Sequence, residues 1–222
     1  MPIDYTKRRP EAAQSGGVSL SKVTLTKSAP TVSLSKQVGG RAASGELRVN
    51  LNWNTRPAAG GLFKRQSSGI DLDLGCLYEL SSGRKGVVQA LGNSFASRND
   101  GSPIISLDGD DRTGASTEGE NLRIDLSRLP EVRRILVFTY IYEGTPNWAG
   151  ANAVVTLYPQ GGAPIEIHLD EADPGARTCA IALLESTGTD LSVRREVRYV
   201  HGTQSALDAA YGWGMSWTKG RK

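Results

Sequence analysis

Residues 70–78 read Ile70-Asp71-Leu72-Asp73-Leu74-Gly75-Cys76-Leu77-Tyr78. Apolar and acidic residues alternate strictly over the first five positions. That period of two predicts a β-strand with Asp71 and Asp73 leaving the same face. Aspartate is a poor strand former, so two of them in an otherwise apolar strand need a physical reason. Some thirty-five residues on, the chain reads Asp108-Gly109-Asp110-Asp111-Arg112-Thr113-Gly114 and closes with Glu118 and Glu120.

Carboxylates gathered this closely repel one another unless a cation sits among them. At least six acids fall in these two short segments. Calcium takes about six to eight oxygen ligands at flexible geometry, whereas magnesium is content with one or two carboxylates and several waters. The density of acids therefore favours calcium. Gly109, Gly114 and Gly119 border the loop and allow sharp turns that aim carbonyls inward. An EF-hand does not fit. Its loop needs acids at the first, third and fifth positions, glycine at the sixth and glutamate at the twelfth. Counting from Asp108, Asp110 fits the third, but Arg112 stands fifth and Gly119 twelfth, and the flanks read as strands. Two other readings stay open at this point. The 108–120 acids can be solvated turn residues, and Asp71 and Asp73 can be the outward face of an antiparallel sheet.

Working outward, short strands dominate. Val18-Ser19-Leu20-Ser21-Lys22, Val23-Thr24-Leu25-Thr26-Lys27 and Val32-Ser33-Leu34-Ser35-Lys36 repeat one pattern, apolar-polar-apolar-polar-Lys, and each reads as a half-buried strand. Leu47, Val49, Leu51 and Trp53 alternate with polar residues, as do Leu122, Ile124 and Leu126. Residues 135–142 are apolar on both faces and predict a central strand. Residues 153–158 and 165–169 flank Pro159-Gln160-Gly161-Gly162 and predict a hairpin. Two late strands surround Gly188, and residues 204–211 alone have helical spacing. Thr55–Ser68 reads as a loop. Short strands with regular turn signals predict an all-β fold, an antiparallel β-sandwich with one or two short helices. The expected organisation is a flexible tail over 1–16, one sandwich domain over 17–217 and a basic tail over 218–222.

Composition narrows the function. The 222 residues carry a net charge of +3, with basic residues concentrated at the two ends, Lys7-Arg8-Arg9 and Lys219 to Lys222. A balance this small argues against a dedicated nucleic-acid binder. No stretch approaches the roughly 18 apolar residues of a membrane span, and residues 1–17 lack a signal-peptide core. The expectation is cytoplasmic, with Cys76 and Cys179 as reduced core thiols. No Gly-x-Ser-x-Gly, phosphate-binding loop or His-Glu-x-x-His occurs, so a non-enzymatic binding module is expected. A metal-dependent hydrolase, and calcium-dependent contact with anionic lipid or nucleic acid through the basic tails, are the alternatives.

The chain resembles the TerD-type tellurium-resistance and stress-response domain of bacteria. The resemblance rests on Val32-Ser33-Leu34-Ser35-Lys36, Asp71-Leu72-Asp73, Gly109-Asp110-Asp111-Arg112-Thr113-Gly114, Glu118-Gly119-Glu120-Asn121, Ile124-Asp125-Leu126-Ser127 and Ile141-Tyr142-Glu143. It covers most of residues 18–213. It implies a calcium-binding sandwich, usually with two ions held by acidic loops at one end, here one or two. Asp71, Asp73, Asp110, Asp111, Glu118 and Glu120 carry over as ligands, with Glu143 and Asn152 as lesser candidates. Leu72 and Thr113 carry over as donors of backbone oxygen. Asp111 stands where the family usually has Asn, and Ala115-Ser116-Thr117 where it is often acid-rich. The resemblance also implies protein partners in a stress-response assembly, with possible association with a membrane surface, and no catalytic residue.

Overall fold

A computed structural model describes residues 21–53, 70–108, 119–171 and 173–218. Twelve strands form two six-stranded sheets packed face to face. In chain order they are β1 (Val23–Thr24), β2 (Thr31–Ser33), β3 (Glu46–Asn52), β4 (Asp71–Leu80), β5 (Lys85–Gln89), β6 (Ile105–Asp108), β7 (Glu120–Asp125), β8 (Val132–Glu143), β9 (Ala153–Pro159), β10 (Ile165–Leu169), β11 (Thr178–Ser186) and β12 (Leu191–Val200). Three helices accompany them: α1 (Leu34–Gln37), α2 (Trp148–Ala151) and α3 (Gln204–Tyr211). The first sheet runs β1-β10-β9-β3-β7-β6 and the second β2-β12-β11-β8-β4-β5. All pairings are antiparallel except β1 with β10. The expected sandwich is the observed one.

Alternation decides which side chains fill the space between the sheets. From the first sheet come Leu47, Val49 and Leu51 of β3, Leu122 and Ile124 of β7, and Val155 and Leu157 of β9. From the second come Leu72, Leu74, Cys76 and Tyr78 of β4 and Ile135, Val137 and Ile141 of β8. The other face of β8 is apolar too. Leu136, Phe138 and Tyr140 join Leu77, Leu207 and Trp213 in a second cluster, roofed by α3 and the segment after it. A strand covered on both sides reads as a continuous apolar run, which is what 135–142 does. Burying one such leucine or phenylalanine contributes about 1.5–3 kcal/mol.

The third apolar-polar-Lys unit departs from expectation. It begins as β2 but turns into α1 after Ser33. The Ser33 hydroxyl caps the helix by accepting from the Lys36 amide, and Asp190 accepts from the Ser33 hydroxyl at 2.7 Å and the Ser35 amide at 2.9 Å. A local cap with a distant carboxylate outweighs a weak strand preference. Most of the first unit lies outside the described residues, as does the loop expected over 55–68. Cys76 and Cys179 are buried free thiols, and burial pushes both thiols well above their ordinary pKa.

Candidate metal centre

One end of the sandwich collects the acids of β4, β7 and β8. β4 begins at Asp71 and β8 ends at Glu143, and the two residues are register partners. The register then slips by one residue on β8, so that Leu72 pairs with Ile141 and Asp73 with Tyr140. This bulge seats two carboxylates opposite one another at the mouth of the pair, an arrangement that is destabilising between like charges left to themselves. Asp71 is half-buried and Glu143 exposed.

Asp73 is buried, at 1% exposure. It accepts a 2.5 Å hydrogen bond from the Tyr140 hydroxyl. Tyr140 belongs to the outer cluster of the second sheet, so Asp73 leaves β4 on the side away from the first sheet. Alternation puts Asp71 on that side as well. Leu72 points into the core at 0% exposure, and only its backbone is available to a ligand.

Glu120 reaches β4 from the opposite direction. It opens β7 on the inward face of the first sheet, in line with Leu122 and Ile124, and is 2% exposed. Its Oε2 accepts from the Leu74 backbone amide at 2.6 Å. A carboxylate of one sheet thus touches the backbone of the other, one residue from Asp73. The turn that aims it depends on Gly119, whose φ is +65°. A Cβ added at Gly119 would lie 2.1 Å from the Leu51 carbonyl oxygen, so no other residue fits without displacing backbone.

Neighbouring contacts fix the frame. The Trp53 indole donates to the Ile70 carbonyl at 3.0 Å and ties the two flanks of residues 54–69 together. Asp108, at the end of β6, is engaged elsewhere: Arg123 forks onto it at 2.8 and 2.9 Å and also meets Glu46 at 2.8 Å. Of the sequence-derived ligand set, Asp71, Leu72, Asp73, Glu120 and Glu143 stand together at this end. Asp110, Asp111, Thr113 and Glu118 lie outside the described residues. Among the described residues no three His, Cys, Asp or Glu side chains are grouped closely enough to hold an ion alone. The donors that are present are all oxygens, with no thiol or imidazole among them, which is the chemistry of a hard cation. Asn152 closes α2 in the left-handed conformation and is exposed.

Tyr140 and Arg123 complete the geometry and were not singled out in the sequence, whereas Gly119 was read there as a turn glycine. Tyr140 sits in an apolar run whose partner is set by register, and register is not written in either strand alone. The Arg123–Asp108 pair joins adjacent strands, and the alternating pattern of β7 carries only the hint that Arg123 faces solvent.

No family model matches the chain. Over 208 residues it is 43% identical to tellurium resistance protein TerA of an Alcaligenes species, a match covering 92% of this chain and 60% of that protein. The chain therefore spans less than two thirds of the length of that relative. Two solved structures share the fold. One is a protein of unknown function, SAV2460, with a TM-score of 0.56 at 15% identity, covering 75% of this chain and 95% of that one. The other is a homologue of telluride resistance protein TerD, SCO6318 from Streptomyces coelicolor A3(2), with a TM-score of 0.51 at 21% identity and the same coverages. This chain is thus similar to TerA along most of its own length and shares its fold with a TerD homologue.

Proposed function

We propose that this domain binds calcium, one or two ions, at the acidic end of the sandwich and serves without catalysis in a tellurium-resistance-type stress response. One observation carries the reading: Glu120 of the first sheet bonds the Leu74 amide of the second, one residue from the buried Asp73. Two carboxylates, Asp73 of β4 and Glu120 of β7, are buried at this end of the sandwich, and Asp110, Asp111, Thr113 and Glu118 complete the proposed ligand set. A divalent ion beside these carboxylates offsets the local repulsion. In this reading the ion orders the acidic segments into a surface for a protein partner or a membrane face, in a cytoplasmic setting. Among the described residues no helix is long and apolar enough to cross a membrane.

The test is a calorimetric calcium titration with magnesium as control, paired with thermal melting in calcium and in chelator. Binding to the native state alone stabilises by about 2.7 kcal/mol at a hundredfold excess over the dissociation constant. Calcium is expected to raise the melting temperature of the native chain, and Asp73→Asn and Asp110→Ala to lose that response. Equal melting in calcium and chelator removes the proposal.

A further inference from the structure

A second site lies away from the acidic end. A cavity of about 1130 Å³ opens between the β4–β5 turn, the polar loop after β5, the start of α3 and the chain beyond Trp213. Three of its lining residues, Arg84, Lys85 and Arg98, are cationic, and no Asp or Glu is among the residues that line it. An Arg84 guanidinium nitrogen donates to the Arg98 backbone carbonyl at 3.3 Å, which ties the Arg84 side chain to the loop that carries Arg98. The Arg98 amide donates to the hydroxyl of the buried Tyr78 at 2.9 Å, which anchors that wall in the core. The nearest counter-charge to Arg84 is Asp100, 3.6 Å away and fully exposed, a weak partner in water.

The opposite wall is apolar and fixed. Leu91, Met215 and the indole of Trp217 line it. Asp208 holds this segment by accepting from the Gly214 amide at 2.8 Å, the Met215 amide at 3.0 Å and the Trp217 indole at 3.1 Å. Lys85 adds a 2.6 Å bond to the Trp213 carbonyl. The buried Gln204 forms part of the floor and is tied to Gln89 at 3.1 Å. The cavity is thus built from the fold rather than left by loose side chains, and nothing in it takes part in the acidic end.

We propose that this cavity binds a phosphate monoester carried on a flat apolar body, with the size and chemistry of a nucleoside monophosphate. Guanidinium groups suit a phosphate dianion through paired, charge-assisted hydrogen bonds. The indole and thioether wall suits a planar ring. The volume is that of a small-molecule pocket with few polar groups at one end. Arg84 and Arg98 take the phosphate, and Trp217 with Leu91 takes the ring.

The probes are adenosine 5′-monophosphate, inorganic phosphate and adenosine, titrated calorimetrically into the full chain in chelator, so that the result is independent of calcium. The monophosphate is expected to bind, with each half weaker by about tenfold or more. Arg98→Glu is expected to weaken monophosphate binding by about tenfold or more. Ser205→Glu places a carboxylate at the second position of α3, where negative charge favours the helix. It should weaken binding while leaving the melting temperature unchanged or higher, which separates loss of the site from loss of the fold. Absence of monophosphate binding overturns the proposal, as does binding that neither variant weakens. Co-sedimentation with phosphatidic acid vesicles in the absence of monophosphate binding also overturns it, because a lipid headgroup brings no ring for Trp217.

Discussion

Glu120 has two duties that one substitution can separate. Its carboxylate closes the Leu74 amide now and is a calcium ligand in the proposed function. Glu120→Gln keeps an oxygen for the amide and removes the charge. Stability in chelator is expected to stay within about 0.5 kcal/mol of the native chain, while the calcium-induced shift in melting temperature falls or disappears. A full calcium shift in this variant would take Glu120 out of the ligand set. Gly119 is less forgiving. Its left-handed conformation and the Leu51 carbonyl directly opposite make Gly119→Ala costly, by about 1–3 kcal/mol from backbone strain alone. Urea unfolding checks this, and an unchanged midpoint would show that the turn relaxes freely. Asp71 and Asp73 stood out in the sequence because acid in an alternating strand is anomalous on its face, and Glu120 only as the close of an acidic loop. Tyr140 was not, because a tyrosine in an apolar run is ordinary until the register sets it against Asp73.

Single elements were read with uneven success, and the reasons are local. α3 was legible from 204 to 211 because its apolar spacing has no competitor, and Gly212 ends it with a φ of +61°. The Val32 unit was misread from its third residue on because a serine cap and Asp190, far away in sequence, recruit it into α1. The outer face of β4 and β8 shows a third case. Glu79 looks like a solvent residue in the strand, yet it is buried under two arginines, with Arg133 at 2.7 Å and Arg134 at 2.6 Å. Arg134 in turn lies over the Trp213 ring, 3.9 Å from its centroid. Burial alone would raise the Glu79 carboxyl. The Arg134 hydrogen bond and the charges of Arg134, Arg133 and Lys85 together hold it below the usual value. A carboxyl depressed in the folded state contributes stability above its unfolded pKa, near 4.5, and that contribution is lost as pH falls through the lower folded value. Melting of the native chain followed downward from about pH 6 is therefore expected to decline below the ordinary glutamate range. Glu79→Gln should melt lower at neutral pH and show a shallower acid decline. Parallel acid profiles for the two chains would assign the decline to other carboxylates.

At the scale of the whole molecule, the strand pattern alone reached the sandwich, because period-two alternation in so many short segments has few other solutions. Beyond the β9–β10 hairpin, which strand lies beside which was not legible, since β4 pairs with β8 and β7 with β3 across long stretches of chain. That order has a mechanical consequence. Asp71 and Asp73 lie on the outer face of the second sheet and Glu120 of the first sheet meets β4 from the inner face, so an ion at either group acts at one end of the sandwich only. Hydrogen exchange is expected to slow in calcium at the start of β4, the start of β7 and the end of β8. The β9–β10 turn, which the register places at the opposite end of the first sheet where Leu47 pairs with Pro159, should keep its rate. Local protection of this kind tracks the free energy of local opening rather than global stability. A global increase spread evenly over both sheets would mean that calcium acts only through mass action on unfolding.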